Sequence, residues 1–392
     1  MSSKEQGARV EVLDGMRGLA VLLVMLHHAV MYFPCEGTAA LAVRRVFLPG
    51  LIGVDLFFVL SGYLITSILL RTRRQAGYYR RFYLARFFRI FPLYYAVLGL
   101  VFLVMPRIAP DIRHTLLWLR QWRFWTYTTN FAIARSAQLI FVSRDLNLNH
   151  FWSLAIEEQF YLFWPVTVAV LGKRGLRWAI VSMLAYSCYL RSAPGISDFA
   201  IYFGTTTRWD GLAVGALLAT SIPTGVAPAG MLALSHAYKI SIACLGVALA
   251  IEYHVLDLPL FSRCFEYTLL AVGFAALVTH ATGNPTSLCA RFFSSRALRL
   301  LGKYSYALYI FHLLFIFALV RVFGRMVDSR GLLGLFGFTV LMFALSFALA
   351  RASYVLLESP CMRLKTRLLE GRRVPKPVLG NIAPTTQNAD IT

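Results

Sequence analysis

The first apolar segment of the chain carries an arginine and a histidine on one helical face. Arg17 and His28 are eleven residues apart, which is almost three turns, whereas His27 is turned about 100° away. The rise from Arg17 to His28 is about 16 Å, roughly half of the hydrocarbon core of a bilayer. An arginine at the membrane rim can bind an anionic ligand, and an intramembrane histidine can transfer a proton. Asp14 lies close to the same helix face. This segment therefore predicts an acid–base site, unless Arg17 only anchors the helix and His28 only bonds a backbone carbonyl.

Two further arginines and two carboxylates extend the candidate chemistry. Arg86 and Arg89 stand at i and i+3, where they could clamp phosphates through bidentate hydrogen bonds, or anchor the topology of a loop that is basic throughout. Glu157 follows His150 by two turns on the same face, and Glu158 is rotated off that face. Adjacent carboxylates near a membrane surface can support acid–base catalysis or can neutralise arginines. We take Glu157 as a candidate catalytic residue, and Glu158 and His150 as polar residues of an acceptor site or of the structure.

Other ionisable groups are costly inside hydrocarbon, so they too are candidates for an acceptor site or for structural pairing. Asp55 could pair with an arginine or accept a hydrogen bond from a substrate hydroxyl. Arg208 and Asp210 stand together at the start of a later apolar segment. Ser305 and His312 are two turns apart on a shared face, although a lone intramembrane histidine is most often a hydrogen-bonded packing residue.

The composition predicts that these residues lie in membrane-spanning helices. Hydrophobic residues make up 58% of the 392 residues and the mean hydropathy is +0.63, which is more apolar surface than a soluble domain of this length could hide. We expect an all-α, polytopic membrane protein of about ten transmembrane helices, in which Gly62 permits a close helix approach. The candidate spans are 17–34, 50–70, 91–106, 150–171, 177–191, 207–222, 238–253, 266–282, 304–323 and 332–356.

The distribution of charge predicts the orientation. Lys and Arg outnumber Asp and Glu by 39 to 18, and these basic residues cluster between apolar segments, which indicates cytoplasmic loops and no nucleic-acid surface. We expect a multi-pass protein of the bacterial inner membrane with both termini in the cytoplasm. A membrane domain over 1–362 would precede a tail over 363–392 that is basic and then disordered. The six cysteines have no CxxC or Cys/His spacing, so we expect neither a zinc site nor a disulfide framework.

Six motifs in this order resemble those of the bacterial acyltransferase-three family of integral membrane proteins. Each motif alone is weak, but together they cover roughly residues 10–360 and are highly specific. They are Leu13-Asp14-Gly15-Met16-Arg17-Gly18-Leu19-Ala20 through His28, Gly53 to Leu64, Arg86-Phe87-Phe88-Arg89, Trp152-Ser153-Leu154-Ala155-Ile156-Glu157-Glu158-Gln159-Phe160-Tyr161, Arg208-Trp209-Asp210-Gly211, and Gly302-Lys303-Tyr304-Ser305-Tyr306 through His312. Members of this family O-acetylate lipopolysaccharide O-antigens, exopolysaccharides and peptidoglycan, and some acylate macrolide antibiotics.

The resemblance implies an O-acyltransferase in which His28 is needed for catalysis and the Arg86/Arg89 pair contributes near the cytoplasmic face. Combining it with the residue pattern, we expect acyl-CoA, with acetyl as the favoured acyl group, to place its phosphates near Arg17, Arg86 and Arg89. His28 would act as general base on a hydroxyl of a carbohydrate acceptor, and an acyl-His28 relay is a less favoured variant. No metal ion and no bound cofactor is expected beside acyl-CoA as co-substrate.

Two supporting roles and two alternatives complete the expectation. Asp14 or another acid would fix the imidazole tautomer, and Glu157 would orient the acceptor. Tyr63 stands where the family often has Phe, and no esterase-like domain follows, so we expect the membrane domain to complete the transfer alone. A transporter or flippase of lipid-linked glycans, and acylation of a secreted small molecule such as a macrolide, stay open. The sequence does not identify the acceptor.

Overall fold

The computed structural model describes residues 3–108, 120–139, 146–221, 231–253, 255–256, 258–326 and 331–370, and these ranges contain helices and turns but no β-strand. The prediction of an all-α protein is confirmed. The helices are α1 (Ser3–Tyr32), α2 (Thr38–Phe47), α3 (Ile52–Thr72), α4 (Tyr78–Gly99), α5 (Met105–Ile108), α6 (Trp122–Trp125), α7 (Thr129–Ser136), α8 (Phe151–Val170), α9 (Lys173–Ser192), α10 (Asp198–Phe203), α11 (Thr205–Arg208), α12 (Asp210–Ser221), α13 (Met231–Glu252), α14 (Pro259–Gly283), α15 (Leu288–Phe293), α16 (Arg296–Leu314), α17 (Ile316–Met326), α18 (Leu332–Ser353) and α19 (Ser359–Glu370). A 3₁₀ turn (Leu48–Leu51) precedes α3, and π-helical turns (Leu100–Val104 and Tyr354–Glu358) follow α4 and α18.

The chain is a multi-pass membrane protein, but the predicted count of ten spans is not confirmed. Within the described ranges, five helical stretches are long and apolar enough to cross a membrane, or six if the bent pair α16–α17 forms one span. Neither α1, which carries Arg17 and His28, nor α8, which carries Glu157 and Glu158, is among them. Polar side chains lower the hydropathy of the helices that carry the candidate site, and α12 has only 12 residues.

Helices α1 and α16 approach so closely that only glycine fits at their contact. A Cβ atom on Gly18 would lie 1.9 Å from the Leu298 carbonyl oxygen, and one on Gly302 would lie 1.8 Å from the Asp14 carbonyl oxygen. Backbone contact of this kind is typical of small residues between membrane helices. This contact packs α1, which carries His28, against α16, which carries His312.

A second close contact joins α3 to α12. A Cβ atom on Gly62 would lie 2.1 Å from the Leu212 carbonyl oxygen, so the close approach predicted at Gly62 is confirmed. This contact fixes the polar start of α12 beside the first turn of α3.

The helix that carries His312 is broken in its interior. The axes of α16 and α17 differ by 58° across Phe315, and the backbone N–H of Asn147 donates to the Leu314 carbonyl at 3.2 Å. The break thus leaves a helix C-terminus two residues beyond His312. At the other end of the chain, the predicted domain boundary at 362–363 falls within α19, and residues 371–392 of the predicted tail lie outside the described residues.

Candidate active site

A cavity between α1, α3, α4, α8 and α16 brings together residues that the sequence separates by almost 300 positions. The three predicted phosphate ligands, Arg17, Arg86 and Arg89, line this cavity. Two other predicted site residues, Glu157 and Ser305, line it with them. Its polar lining consists of Arg17, Ser61, Arg86, Arg89, Ser153, Glu157, Tyr161, Ser305, Tyr306 and Tyr309. The three arginines expected to bind phosphates therefore line one cavity, and Glu157, which was expected to orient the acceptor at His28, lines it with them.

The arginines of this cavity keep hydrogen-bond donors unused. The guanidinium carbon of Arg86 lies 5.7 Å from the centroid of the Tyr161 ring, and Nε of Arg86 is buried with no hydrogen-bond partner among the described residues. Arg17 forms only a long ion pair with Asp14, at 3.8 Å, and its side chain is 31% exposed. Three guanidinium groups face one lining carboxylate, so the cavity attracts anions.

Glu157 belongs to the arginine cavity, not to the histidines. Ser61 Oγ on α3 donates to Glu157 Oε1 at 2.7 Å, which fixes the carboxylate on the cavity wall. Seven residues, about 10 Å of helix, separate Glu157 from His150. Glu158 lines a neighbouring cavity, as its predicted rotation requires. Ser61 was not singled out from the sequence, because it is one of several hydroxyl side chains in α3.

A pair of hydroxyl groups lines the arginine cavity on the side of the histidines. Ser153 Oγ and Tyr309 Oη lie 2.6 Å apart, and Tyr309 Oη donates to the His150 carbonyl at 3.1 Å. The Tyr309 ring centroid lies 5.5 Å from the ring centroids of both His150 and His312. Tyr309, which the sequence reading also missed, therefore stands between the cavity and a group of histidines.

Three histidines from three helices or their caps meet beyond Tyr309. His28 Nδ1 lies 3.1 Å from His312 Nε2 and 2.9 Å from the Val24 carbonyl oxygen. The His150 ring centroid lies 5.2 Å from that of His312. His150 and His312 are buried, whereas His28 is only half-buried and keeps accessible surface. The predicted residues His28, His150 and His312 thus form one cluster, which the sequence pattern could not reveal.

His27 and Asp14, which stand on the same helix as His28, do not belong to this cluster. His27 is turned away, as predicted, and its Nδ1 donates to the Leu48 carbonyl in the turn before α3. Asp14 pairs with Arg17, about 21 Å of helix away from His28, so the structure does not bring Asp14 to the imidazole. The imidazole orientation that was expected from Asp14 comes from the Val24 carbonyl and His312.

Asp55, Arg208 and Asp210 lie apart from the cavity in a closed ionic network. Arg208 Nη1 lies 3.1 Å from Asp55 Oδ1, and its guanidinium carbon lies 3.7 Å from the centroid of Tyr267. Asp210 receives two hydrogen bonds, at 2.8 and 3.0 Å, from Arg191. Arg191 was missed from the sequence because it stands at the end of a predicted span, where an arginine ordinarily marks a membrane boundary. These four residues connect helices and leave no carboxylate free for a substrate.

Comparison with known proteins places this arrangement among acyltransferases. The sequence profile of the acyltransferase 3 family, described as an acyltransferase domain, matches residues 10–351. The chain is 33% identical over 323 residues to peptidoglycan O-acetyltransferase OatA of Listeria monocytogenes, a match that covers 77% of this chain and 49% of OatA. No solved structure matches the chain.

Two other relatives carry similar names. A candidate O-acetyltransferase of Staphylococcus aureus is 28% identical over 391 residues, which cover 92% of this chain and 58% of that protein. A candidate peptidoglycan O-acetyltransferase of Bacillus subtilis, YrhL, is 29% identical over 323 residues, which cover 76% of this chain and 47% of YrhL. The chain therefore spans about half the length of the curated relatives it matches.

Proposed function

Because the chain belongs to the acyltransferase 3 family, we propose that it is an O-acyltransferase that moves an acetyl group from acetyl-CoA to a hydroxyl of a cell-envelope glycan. The observation that carries the proposal is a chain of contacts: Tyr309, in the wall of a cavity that three arginines also line, packs against His312, which in turn contacts His28. The names of the relatives, which include a peptidoglycan O-acetyltransferase, support a glycan acceptor.

On the donor side, the arginine cavity offers what the phosphates of coenzyme A need. Arg86 and Arg89 are one turn apart on α4, and Arg17 faces them from α1. Their guanidinium groups can make bidentate, charge-assisted hydrogen bonds to phosphate oxygens. The extended arm of the coenzyme would then run along the cavity toward Tyr309 and carry the thioester toward His28.

For the thioester to reach His28, the hydroxyl pair of Ser153 and Tyr309 must part or shift. We assign the chemistry beyond it to His28 as a general base. Its imidazole removes the proton of the acceptor hydroxyl while the hydroxyl oxygen bonds to the thioester carbonyl carbon. The C–S bond then breaks, and the leaving thiolate takes the proton back from the imidazole. Acyl ester and free thiol are the products, and the histidine returns to its starting state.

The orientation in the membrane decides from which side each substrate arrives. We propose that both termini lie in the cytoplasm of a bacterial inner-membrane protein, because the basic loops would then face inward. Arg17, Arg86 and Arg89 would open toward cytoplasmic acyl-CoA, and the acceptor would approach His28 from the other face. We also propose that the 107–149 segment selects the acceptor; residues 109–119 and 140–145 of this segment lie outside the described ranges.

The test is a transfer assay with protein purified in detergent. Acetyl-CoA with labelled acetyl is supplied with soluble peptidoglycan fragments, and release of free thiol and labelling of the glycan are both measured. The proposal requires thiol release that depends on the acceptor, and ester-linked label on the glycan. If neither thiol release nor labelled glycan is found, and acetyl-CoA does not bind, a transporter is favoured instead. The broken helix pair α16–α17 is the observation that supports this alternative.

A further inference from the structure

The contacts of His28 determine which of its nitrogens is available for chemistry. Nδ1 faces two groups: the Val24 carbonyl oxygen at 2.9 Å and Nε2 of His312 at 3.1 Å. A carbonyl oxygen only accepts hydrogen bonds, so Nδ1 of His28 must carry the hydrogen. Nε2 of the neutral ring then carries the lone pair, which is the form that a general base needs.

His312 is held in the complementary tautomer. Its Nδ1 lies 2.8 Å from the Tyr309 carbonyl oxygen and 3.2 Å from the Leu308 carbonyl oxygen, so this nitrogen also carries its hydrogen. Its Nε2 therefore presents a lone pair to Nδ1–H of His28. One placement of hydrogens satisfies all four contacts.

Resting on the proposed function, we infer that His312 is the positioning residue of the base His28. Together with the Val24 carbonyl it accepts the single Nδ1–H of His28, so that Nε2 of His28 stays free, and the bond to His312 strengthens when His28 becomes positively charged during proton transfer. In hydrolytic triads a carboxylate fills this orienting position. A neutral imidazole does so here, in a membrane interior where an unpaired carboxylate would be costly.

The surroundings keep His312 in place. His312 is 2% exposed, and the His150 ring packs against it edge to face. Nε2 of His150 donates to the Ile310 carbonyl, so this ring is fixed as well. Because α16 ends at Leu314, its negative dipole end lies beside the cluster.

Two substitutions of His312 distinguish a role as hydrogen-bond acceptor for His28 from a role in which the side chain only fills space. In His312→Gln, the amide oxygen can still accept the Nδ1–H bond of His28, whereas His312→Leu fills the site without an acceptor. We expect His312→Leu to lower kcat about 10- to 100-fold with an unchanged KM for acetyl-CoA, and His312→Gln to recover most of that loss.

The matched control is His280 on α14, an intramembrane histidine whose Nδ1 bonds the Leu234 carbonyl at 3.0 Å. His280→Leu should leave kcat unchanged. If Leu and Gln at 312 are equally impaired and both lower the thermal midpoint, His312 is only structural. If both keep the wild-type kcat, the inference is also wrong.

A second measurement does not depend on turnover. In protein labelled with ¹⁵N-histidine, His28 should give the signals of the Nδ1–H tautomer, assigned by their loss in His28→Gln. Because the Val24 carbonyl still accepts the Nδ1–H bond, the tautomer should persist in His312→Leu, but its Nδ1–H signals should shift from their wild-type position. His312→Gln should keep these signals near that position, and equal spectra in both variants would contradict the inference. Failure of the proposed function would instead appear as a wild-type protein that transfers no acetyl group.

Discussion

This membrane protein contains two sets of ionic side chains that differ in how closely their charges are paired and in how far they are exposed. In the closed network, Arg208 pairs with Asp55 and Arg191 with Asp210, and the arginine side chains are 1% and 0% exposed. In the open cavity, Arg17 is 31% exposed and holds Asp14 only at 3.8 Å. The closed network joins helices, whereas the open cavity offers donors to a ligand.

The physical reason for the difference is the cost of an unpaired charge in a low-dielectric interior. A buried ion persists only if it is paired and hydrogen-bonded, or if it borders a space that water or a ligand can fill. We therefore expect substitutions in the closed network to lower stability first, and substitutions along the path from the cavity to His28 to lower activity first.

The largest effect is expected at His28. His28→Ala and His28→Gln should each lower the transfer rate by about 10²- to 10⁴-fold, because neither side chain can remove a proton at neutral pH. Expression, insertion and binding of acetyl-CoA should stay near wild type. Transfer kinetics, together with a thermal unfolding curve in detergent, check both halves of this prediction.

His27 is the control for that experiment. The structure gives His27 a hydrogen bond to the Leu48 carbonyl and an edge contact with the His28 ring, at 5.0 Å between centroids, so His27→Ala should reduce the free energy of unfolding by about 1 kcal/mol and keep turnover. An inactive His27→Ala beside an active His28→Gln would move the reaction away from His28.

The next effect tests the closed network through its Asp55–Arg208 pair. Asp55→Asn leaves a buried guanidinium without its counter-ion, and we expect the free energy of unfolding to fall by about 3–5 kcal/mol. Replacing both partners, with Asp55→Leu and Arg208→Met, should restore most of that loss. Denaturation in detergent measures the effect. A stable double variant without activity would instead show that this pair serves the acceptor.

A smaller effect is expected for the donor arginines. Arg86→Ala combined with Arg89→Ala should raise the KM for acetyl-CoA by at least about tenfold, since charge-assisted hydrogen bonds to phosphate are lost. Lysine at both positions should rescue only in part, because it lacks the planar fork of arginine. Unchanged affinity together with failed membrane insertion would identify both residues as topology anchors.

The sequence predicted residue types and helix faces well, but not their partners. The rotation of His27 away from Arg17 and His28, and of Glu158 away from Glu157, follows from helix periodicity alone. The cluster of histidines depends on which helices touch, and that depends on glycines whose contacts lie hundreds of residues away in the chain.

Because the sequence does not show which residues are in contact, it also misplaced Asp14 and overlooked Arg191. Asp14 was expected at His28 because both lie near one face, but 14 residues of helical rise separate them along the axis. Arg191 was overlooked because its partner, Asp210, stands on another helix. The predicted count of ten spans stays unconfirmed, since hydropathy cannot distinguish a lipid-facing helix from one that is covered by its neighbours.

The smallest effect is expected at Tyr309, where the open cavity meets the histidines. Tyr309→Phe keeps the ring but removes the bonds to Ser153 and to the His150 carbonyl, which should lower the free energy of unfolding by about 0.5–1.5 kcal/mol. If this hydroxyl pair closes the path to His28, its loss should leave kcat unchanged or raised. It should also increase thiol release from acetyl-CoA in the absence of acceptor, because water then reaches the thioester. Thiol release with and without acceptor measures both, with Ser153→Ala as the matched variant from the other side of the bond. A fall in kcat in both variants, without extra hydrolysis, would mean that the two hydroxyls take part in the transfer and do not gate it.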